Sequence, residues 1–202
     1  MTEQPDFALI GKVLRASTTG FVCGTRSENI SQPAFGAFVR TWPGQRTDID
    51  VIGIIHAISI DDDPMVRQMI LANNMRENTI SDQRVNRMVP VEISVLSVGF
   101  FRLDRVYHTL PPQPPLSLDP VRMCDADTVH DFTENLDFLR LVVNASDVPT
   151  EELLAAAINH AAWARPAEEQ RAFRVRAGRH LAGLLSHDLP RLQHLLKLIR
   201  PV

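Results

Sequence analysis

The sequence predicts an α+β protein in which a small N-terminal β-barrel is followed by a C-terminal α-helical bundle. Short runs of β-branched and aromatic residues, separated by turn residues, fill the chain from about residue 7 to 110. Apolar residues at helical spacing follow from about residue 121. The proline cluster LPPQPPLSLDP at 110–120 lies between them, and prolines donate no ladder hydrogen bonds. We therefore expect a barrel domain at 1–115 and a helical domain at 121–202.

The predicted strands begin with a hairpin, in which IGKVLRAS at 10–17 and FVCGTR at 21–26 flank a turn. GAFVRTW at 36–42 and DVIGIIHAISI at 50–60 follow, and the second is apolar enough to be buried on both faces for part of its length. A short helix is expected over 65–75, after Pro64. Alternation returns in MVPVEISVLSVGFFRL at 88–103. Strands of this number and spacing are typical of a closed barrel or a sandwich, and we expect a barrel of about six strands.

Four helical segments are predicted after the prolines. The first begins with Thr128 as its cap and carries one apolar stripe: Val129, Phe132, Leu136, Leu139 and Val143. Thr150 begins the second, Pro166 opens the third, and Asp188 caps the fourth. Short amphipathic helices bury their stripes only against each other or against the barrel, which predicts an antiparallel bundle.

Composition excludes several classes of protein. The chain has 202 residues, 45% of them hydrophobic and 22% charged, which is typical of a globular protein. No stretch is as long and apolar as a membrane span, and the polar start MTEQPDF does not resemble a signal peptide, so we expect a cytoplasmic protein without membrane contact. Cys23 and Cys124 match no metal or redox spacing.

The motifs of several common enzyme classes are missing from the sequence. No phosphate-binding loop, G-x-S-x-G elbow or HExxH motif occurs. Cys23 has no activating neighbour in the sequence and is interpreted as a small buried hydrophobe. We therefore predict no enzyme, no catalytic residue and no cofactor.

Three patterns could hold a metal ion, and each has a simpler interpretation. Asp61–Asp63 before Pro64 fit a capped strand-to-helix turn better than a cation site. Asp127 and His130, with Asp131 and Glu134 beside them, fit a solvated acidic face. The histidines at seven-residue spacing are interrupted by Pro190, and the first is interpreted as a hydrogen-bonded core histidine; they are His180, His187 and His194. No metal site is predicted.

Charge is distributed by segment. Residues 125–152 contain eight acidic residues and one arginine, a net charge of -7, whereas residues 165–200 contain eight basic and three acidic residues, a net charge of +5. The arginines of the third helix are candidate contacts for a partner or for nucleic acid: Arg165, Arg171, Arg174, Arg176 and Arg179. We favour complementary charge pairing between helices of one bundle, or across a homo-oligomer contact, over nucleic-acid binding.

Several motifs together resemble a known family. They are the opening strand Ile10–Val13, the turn Ser17–Thr19, Phe35-Gly36 and Phe38-Val39 at a strand start, and Gly53 within the fourth strand. Over about residues 8–120 the chain is similar to the HAS barrel, the N-terminal β-barrel of HerA-type DNA-translocating ATPases and of rotary ATP synthase catalytic subunits.

This resemblance implies a barrel that is not catalytic and through which neighbouring subunits touch around a ring. In that family an ATPase domain follows the barrel, whereas here a helical segment follows it. The resemblance therefore implies a non-enzymatic interaction or assembly module, an adaptor of a HerA-like ATPase or nuclease, with a protein partner and a possible homo-oligomer. The alternative is a nucleic-acid-binding protein that uses the barrel loops and the arginine-rich third C-terminal helix.

Overall fold

The structure, a computed structural model, describes residues 8–26, 33–42, 48–60, 90–103 and 105–199. Seven strands are assigned within these ranges: β1 (Leu9–Ala16), β2 (Gly20–Arg26), β3 (Phe38–Thr41), β4 (Ile49–Ile60), β5 (Pro90–Arg102), β6 (Arg105–Tyr107) and β7 (Pro120–Met123). They are followed by five helices: α1 (Ala126–Phe132), α2 (Leu139–Val143), α3 (Thr150–Trp163), α4 (Ala167–Leu184) and α5 (Leu189–Ile199). The predicted helix over 65–75 and the Asp61–Asp63 turn lie outside the described residues.

Six of these strands close into an antiparallel barrel, in the order β1, β2, β5, β4, β3, β7 and back to β1. The short strand β6 lies outside this ring and pairs with the end of β5. The prediction of an α+β fold with a barrel is confirmed. Closure pairs both edges of each barrel strand, which removes the exposed edges of an open sheet.

The barrel extends beyond the predicted boundary at residue 115. Strand β7 begins at Pro120, the last residue of the proline cluster, and pairs with β1 on one side and β3 on the other. Proline is tolerated at the first residue of a strand, where its missing N–H is not needed. The cluster is therefore a crossing segment within the barrel, and the strand that completes the ring begins at its last residue.

The first predicted helix is two helices in the structure, separated by residues 133–138. Asp125, not Thr128, caps α1, because its carboxylate accepts the backbone N–H of Thr128. Within the break, the Asn135 side chain accepts the backbone N–H of Asp137 and donates to its carboxylate, a local bonding pattern that competes with the helix. The later helices start as predicted, and Asp188 caps α5 through the backbone N–H of Arg191.

Two apolar clusters stabilise the molecule. The first fills the barrel and includes Ile10, Val13, Phe21, Val39, Val51, Ile55, Ile93, Val95 and Val121. The second lies between the outer face of the barrel and the helices, where Phe38, Ile52, Ile54 and Val98 meet Phe132, Phe138, Leu153 and Ile158. The helices therefore pack on the barrel.

Candidate interaction surface

The barrel interior is filled with apolar side chains, and its described inward-facing residues are buried. Gly53 shows how tight this packing is: a Cβ atom there would lie 2.3 Å from Cγ1 of Val95. Cys23 is buried in the same cluster, which confirms its interpretation as a small buried hydrophobe, and burial raises the pKa of its thiol to about 12.

Arg40 connects the barrel to the first helix. Arg40 on β3 pairs through Nη2 with the carboxylate of Asp50 on β4, and its Nη1 donates to Oγ1 of Thr128 on α1 at 3.3 Å. Burial raises the pKa of Asp50 to about 6, because desolvation of its carboxylate outweighs the attraction of Arg40. The ion pair joins β3 to β4, and the hydrogen bond to Thr128 joins α1 to the barrel wall.

Arg165, the first of the five candidate arginines, is buried. Its Nη1 donates to the carbonyl oxygen of Ala161 at 2.7 Å and its Nη2 to that of His130 at 3.4 Å. The guanidinium lies 3.8 Å from the ring centre of Phe173. With only 5% of its surface exposed, Arg165 is a structural residue that joins the ends of α1 and α3. Nothing in its position supports the predicted contact with a partner.

Two more of these arginines are engaged within the helical part. Arg176 forms a bidentate ion pair with the Glu134 carboxylate, with N–O distances of 3.1 and 3.4 Å. The Nε of Arg174 donates to Oδ1 of Asn159 at 2.9 Å. Arg171 and Arg179 are exposed on α4. The five residues therefore do not form one continuous basic surface.

The predicted pairing of the two charge blocks within one chain is confirmed. Glu134 holds Arg176 and lies 4.0 Å from Arg165, which lowers the pKa of the Glu134 carboxyl. Arg191 on α5 pairs with Glu151 on α3. Acidic side chains of 125–152 thus pair with basic side chains of 165–200, once between α3 and α5 and once between the segment after α1 and α4.

The histidine prediction is corrected in one respect. His180 is not a core residue: its side chain is 30% exposed and its Nε2 lies 3.9 Å from a carboxylate oxygen of Asp137. His187 and His194 are exposed. Among the described residues no group of three or more histidine, cysteine or acidic side chains is placed to hold a metal ion, and this includes the acidic face around Asp127.

Sequence reasoning missed an apolar feature on the outside of the barrel. Leu14, Leu116 and Leu118 are exposed by 47%, 59% and 70%. The backbone N–H of Leu118 donates to the carbonyl of Val13 at 2.8 Å, so the crossing segment runs beside β1 and brings these leucines onto adjacent backbones. We call these three residues the leucine patch. In the sequence, the patch is indicated only by two leucines, Leu116 and Leu118, within the proline cluster that was predicted to be a linker.

Leu118 has an unusual backbone conformation. Its φ of +73° lies in the left-handed region, which is uncommon for residues other than glycine, asparagine and aspartate. For an ordinary L-residue this conformation costs roughly 1–2 kcal/mol. In the free protein the exposed leucine side chain gains little burial to offset that cost.

The sequence matches no family model, and a search of curated proteins finds no similar chain. Within the described residues, no helix combines the length and the apolar character of a membrane span.

Proposed function

We propose that the protein is a non-enzymatic interaction or assembly module whose barrel belongs to the HAS-barrel type, and that it acts as an adaptor of a HerA-like DNA-translocating ATPase or nuclease. The observation that carries this proposal is the leucine patch on the outer wall of a closed, filled barrel. Strained residues persist only where the surrounding structure holds them, here through backbone hydrogen bonds of Leu118 and Asp119 with Val13, and such residues cluster at functional sites. A partner that covers the patch would bury three leucines that water now surrounds.

The helical part supports the same role. It packs on the barrel through Phe38, Ile52, Ile54 and Val98, so it covers one outer face and leaves the leucine patch uncovered. An apolar surface patch on a folded scaffold suits a docking module. Nucleic-acid binding has less support, because Arg165, Arg174 and Arg176 already contact groups of the same chain.

The test is affinity purification of the tagged protein from its own host, with mass spectrometry of the recovered proteins. The variant Leu116→Ser/Leu118→Asn removes most of the patch, and asparagine accommodates the left-handed backbone at position 118. Leu189→Ser is the matched control, since Leu189 is 60% exposed on α5. We expect the wild type and the control to recover a HerA-like ATPase or a nuclease, and the patch variant to lose it.

Two outcomes would overturn the proposal. One is recovery of the same proteins by the patch variant and the wild type. The other is recovery of the protein alone, together with DNA binding that weakens steeply with salt and is lost in Arg171→Gln/Arg179→Gln, which would favour the nucleic-acid alternative.

A further inference from the structure

A cleft of about 680 Å³ lies between the barrel and the helical part. One wall is formed by residues of β1, β2, β4 and β5 and of the turn between β1 and β2. The other is formed by residues 140–148, which include α2 and the connection to α3. Small-molecule sites in proteins typically have volumes of roughly 300–1,000 Å³ and lie where two structural units meet. The cleft has the size and the position of such a site.

A β-bulge places a histidine in this cleft. Ile55 pairs with Val95 and Ala57 pairs with Ser94, so His56 is an extra residue in β4. The neighbouring residues that face the barrel interior are Ile55 and Ile58, three positions apart instead of two. His56 therefore sits on the outer side and lines the cleft. Bulges are over-represented beside functional sites because they redirect side chains.

A second bulge lies at the rim of the same cleft. It falls between Val13 and Arg15 in β1, and Arg15 then pairs across to Val22 on β2. Arg15 forms a bidentate ion pair with the Glu92 carboxylate, with Nη2–Oε2 and Nη1–Oε1 distances of 2.9 and 3.3 Å, but the Arg15 side chain is 64% exposed. Exposed ion pairs of this kind are worth at most about 1 kcal/mol. Arg15 can therefore exchange Glu92 for another anion.

The opposite wall contributes a second arginine. Arg140 on α2 lines the cleft, and its contact with the carbonyl oxygen of His108 is long, at 3.5 Å. Asp147 is the one acidic residue among the described residues of the lining, and Glu92 outside it neutralises Arg15 while the two are paired, so the lining has a net charge of +1 only when Arg15 has released Glu92. The half-buried His56 has a pKa lowered by burial, so at neutral pH it adds one hydrogen-bond donor and one acceptor without charge.

The remainder of the lining is apolar or carries hydroxyl groups. Leu96, Leu141 and Val148 supply apolar surface, and Ser94 and Ser97 supply hydroxyl groups. The Oγ of Ser97 is buried and has no hydrogen-bond partner among the described residues. A cleft of this composition suits a molecule with an apolar body and a polar head.

We propose that the cleft binds a small amphipathic anion, with its anionic group held by Arg15 and Arg140 and its apolar body packed on Leu96, Leu141 and Val148. This site is separate from the leucine patch and does not rest on the proposed adaptor function. Binding there would connect the barrel wall to α2, so the ligand would stabilise the contact between the two parts of the molecule.

The test is a fluorescence titration of the purified full chain with 8-anilinonaphthalene-1-sulfonate, an aromatic sulfonate that fits this description. We expect one saturable site. Arg140→Gln should weaken binding about tenfold, because a charge-assisted hydrogen bond is lost. Arg171→Gln is the matched control, since Arg171 is exposed on α4 outside the cleft, and we expect its affinity to stay within about twofold of the wild type.

A neutral probe and a second variant complete the test. N-phenyl-1-naphthylamine has the same aromatic body without the sulfonate and should bind at least about tenfold more weakly. Thermal unfolding reports whether each variant is folded, and Arg15→Gln takes the place of Arg140→Gln if the latter is not. The proposal is overturned if no saturable binding occurs, if the cleft variant and its control bind alike, if the neutral probe binds as tightly, or if Leu116→Ser/Leu118→Asn abolishes binding.

Discussion

Arg165 stabilises the meeting point of two helix ends. Carbonyl groups in the last turn of a helix have no partner within the helix. Arg165 donates to one such carbonyl in α1, that of His130, and to one in α3, that of Ala161. Its positive charge also lies at the negative ends of both helix dipoles. These contacts offset the desolvation that lowers the pKa of the guanidinium.

Replacing Arg165 should therefore destabilise the fold. Arg165→Ala leaves buried carbonyls without donors and should reduce the free energy of unfolding by roughly 2–3 kcal/mol. Arg171→Ala on the exposed side of α4 should change it by less than about 0.5 kcal/mol. Urea denaturation followed by circular dichroism measures both. Equal stability of the two variants would show that the guanidinium contacts contribute nothing.

His160 makes stability depend on pH. Its ring lies 5.8 Å from that of Phe38, its Nδ1 has no hydrogen-bond partner among the described residues, and burial lowers its pKa. The unfolded chain has the higher histidine pKa, near 6.5, so it binds the proton first as the pH falls. The stability contributed by neutral His160 is complete above about pH 6.5 and is lost as the pH falls towards the lower, folded-state pKa.

The variant His160→Phe separates this contribution from those of other groups. Phenylalanine keeps the ring contact and removes both the titration and the buried unpaired nitrogen, so the variant should equal or exceed the wild type at pH 7.5. Its advantage in the free energy of unfolding should grow by up to about 1.4 kcal/mol per pH unit between pH 6.5 and 5. Chemical denaturation at several pH values measures the difference. An advantage that is constant with pH would contradict the assignment.

At the scale of elements, Gly36 allows the barrel and α3 to touch. Its φ is +83°, and a Cβ atom there would lie 2.4 Å from the Cβ of Ala156 on α3. Its backbone N–H also donates to the carbonyl of Ile55 at 2.8 Å. The loop before β3 therefore cannot move away from α3 without breaking that hydrogen bond. Both the conformation and the contact require glycine.

Gly36→Ala should lower the free energy of unfolding by roughly 2 kcal/mol or more. Gly183→Ala is the control, because a Cβ at Gly183 on α4 meets nothing within 4 Å, and alanine should stabilise that helix by about 0.5–1 kcal/mol. In a double-mutant cycle, Ala156→Gly should recover part of the loss by removing the clash. Additive effects of Gly36→Ala and Ala156→Gly would show that the two residues do not meet.

Local signals explain which elements were predictable. The hairpin and β5 follow from alternation, β4 follows from its long apolar run, and α3 to α5 follow from apolar spacing and caps. The apolar stripe of the first helix was identified correctly although the helix is broken, because Leu136 within the Asn135–Asp137 turn and Leu139 after it are still buried. Strand β7 could not be found, since a four-residue strand that begins at the last proline of the cluster carries no periodicity.

The candidate sites depend on long-range contacts that a sequence does not show. The exposed or buried state of each arginine is decided by neighbours far along the chain, as with Arg165 and the carbonyl of His130, 35 residues away. The charge blocks did predict that acidic and basic helices pair. The bulge at His56 is a difference in register between two strands, so it has no signature within either strand alone.

At the scale of the whole molecule, the barrel and the helices share one stabilising cluster. Strand residues alternate between the two sides of the barrel wall, and β4 supplies both clusters: Val51 and Ile55 face the interior, whereas Ile52 and Ile54 face the helices. Loss of the helices would expose those outward side chains, and loss of β7 would open the ring. The two parts should therefore unfold together.

Truncation tests this dependence. A fragment of residues 1–115 lacks β7, which leaves one edge of β1 and one edge of β3 unpaired, and it should show no cooperative unfolding transition. A fragment of residues 1–125 keeps β7 but uncovers Phe38, Ile52, Ile54 and Val98, so it should be rich in strands but associate in solution. The full chain should unfold in one transition with coincident circular dichroism and fluorescence curves. If the 1–115 fragment unfolded cooperatively as a monomer, closure by β7 would not be required, and the proline cluster would be a true boundary between independently folding domains.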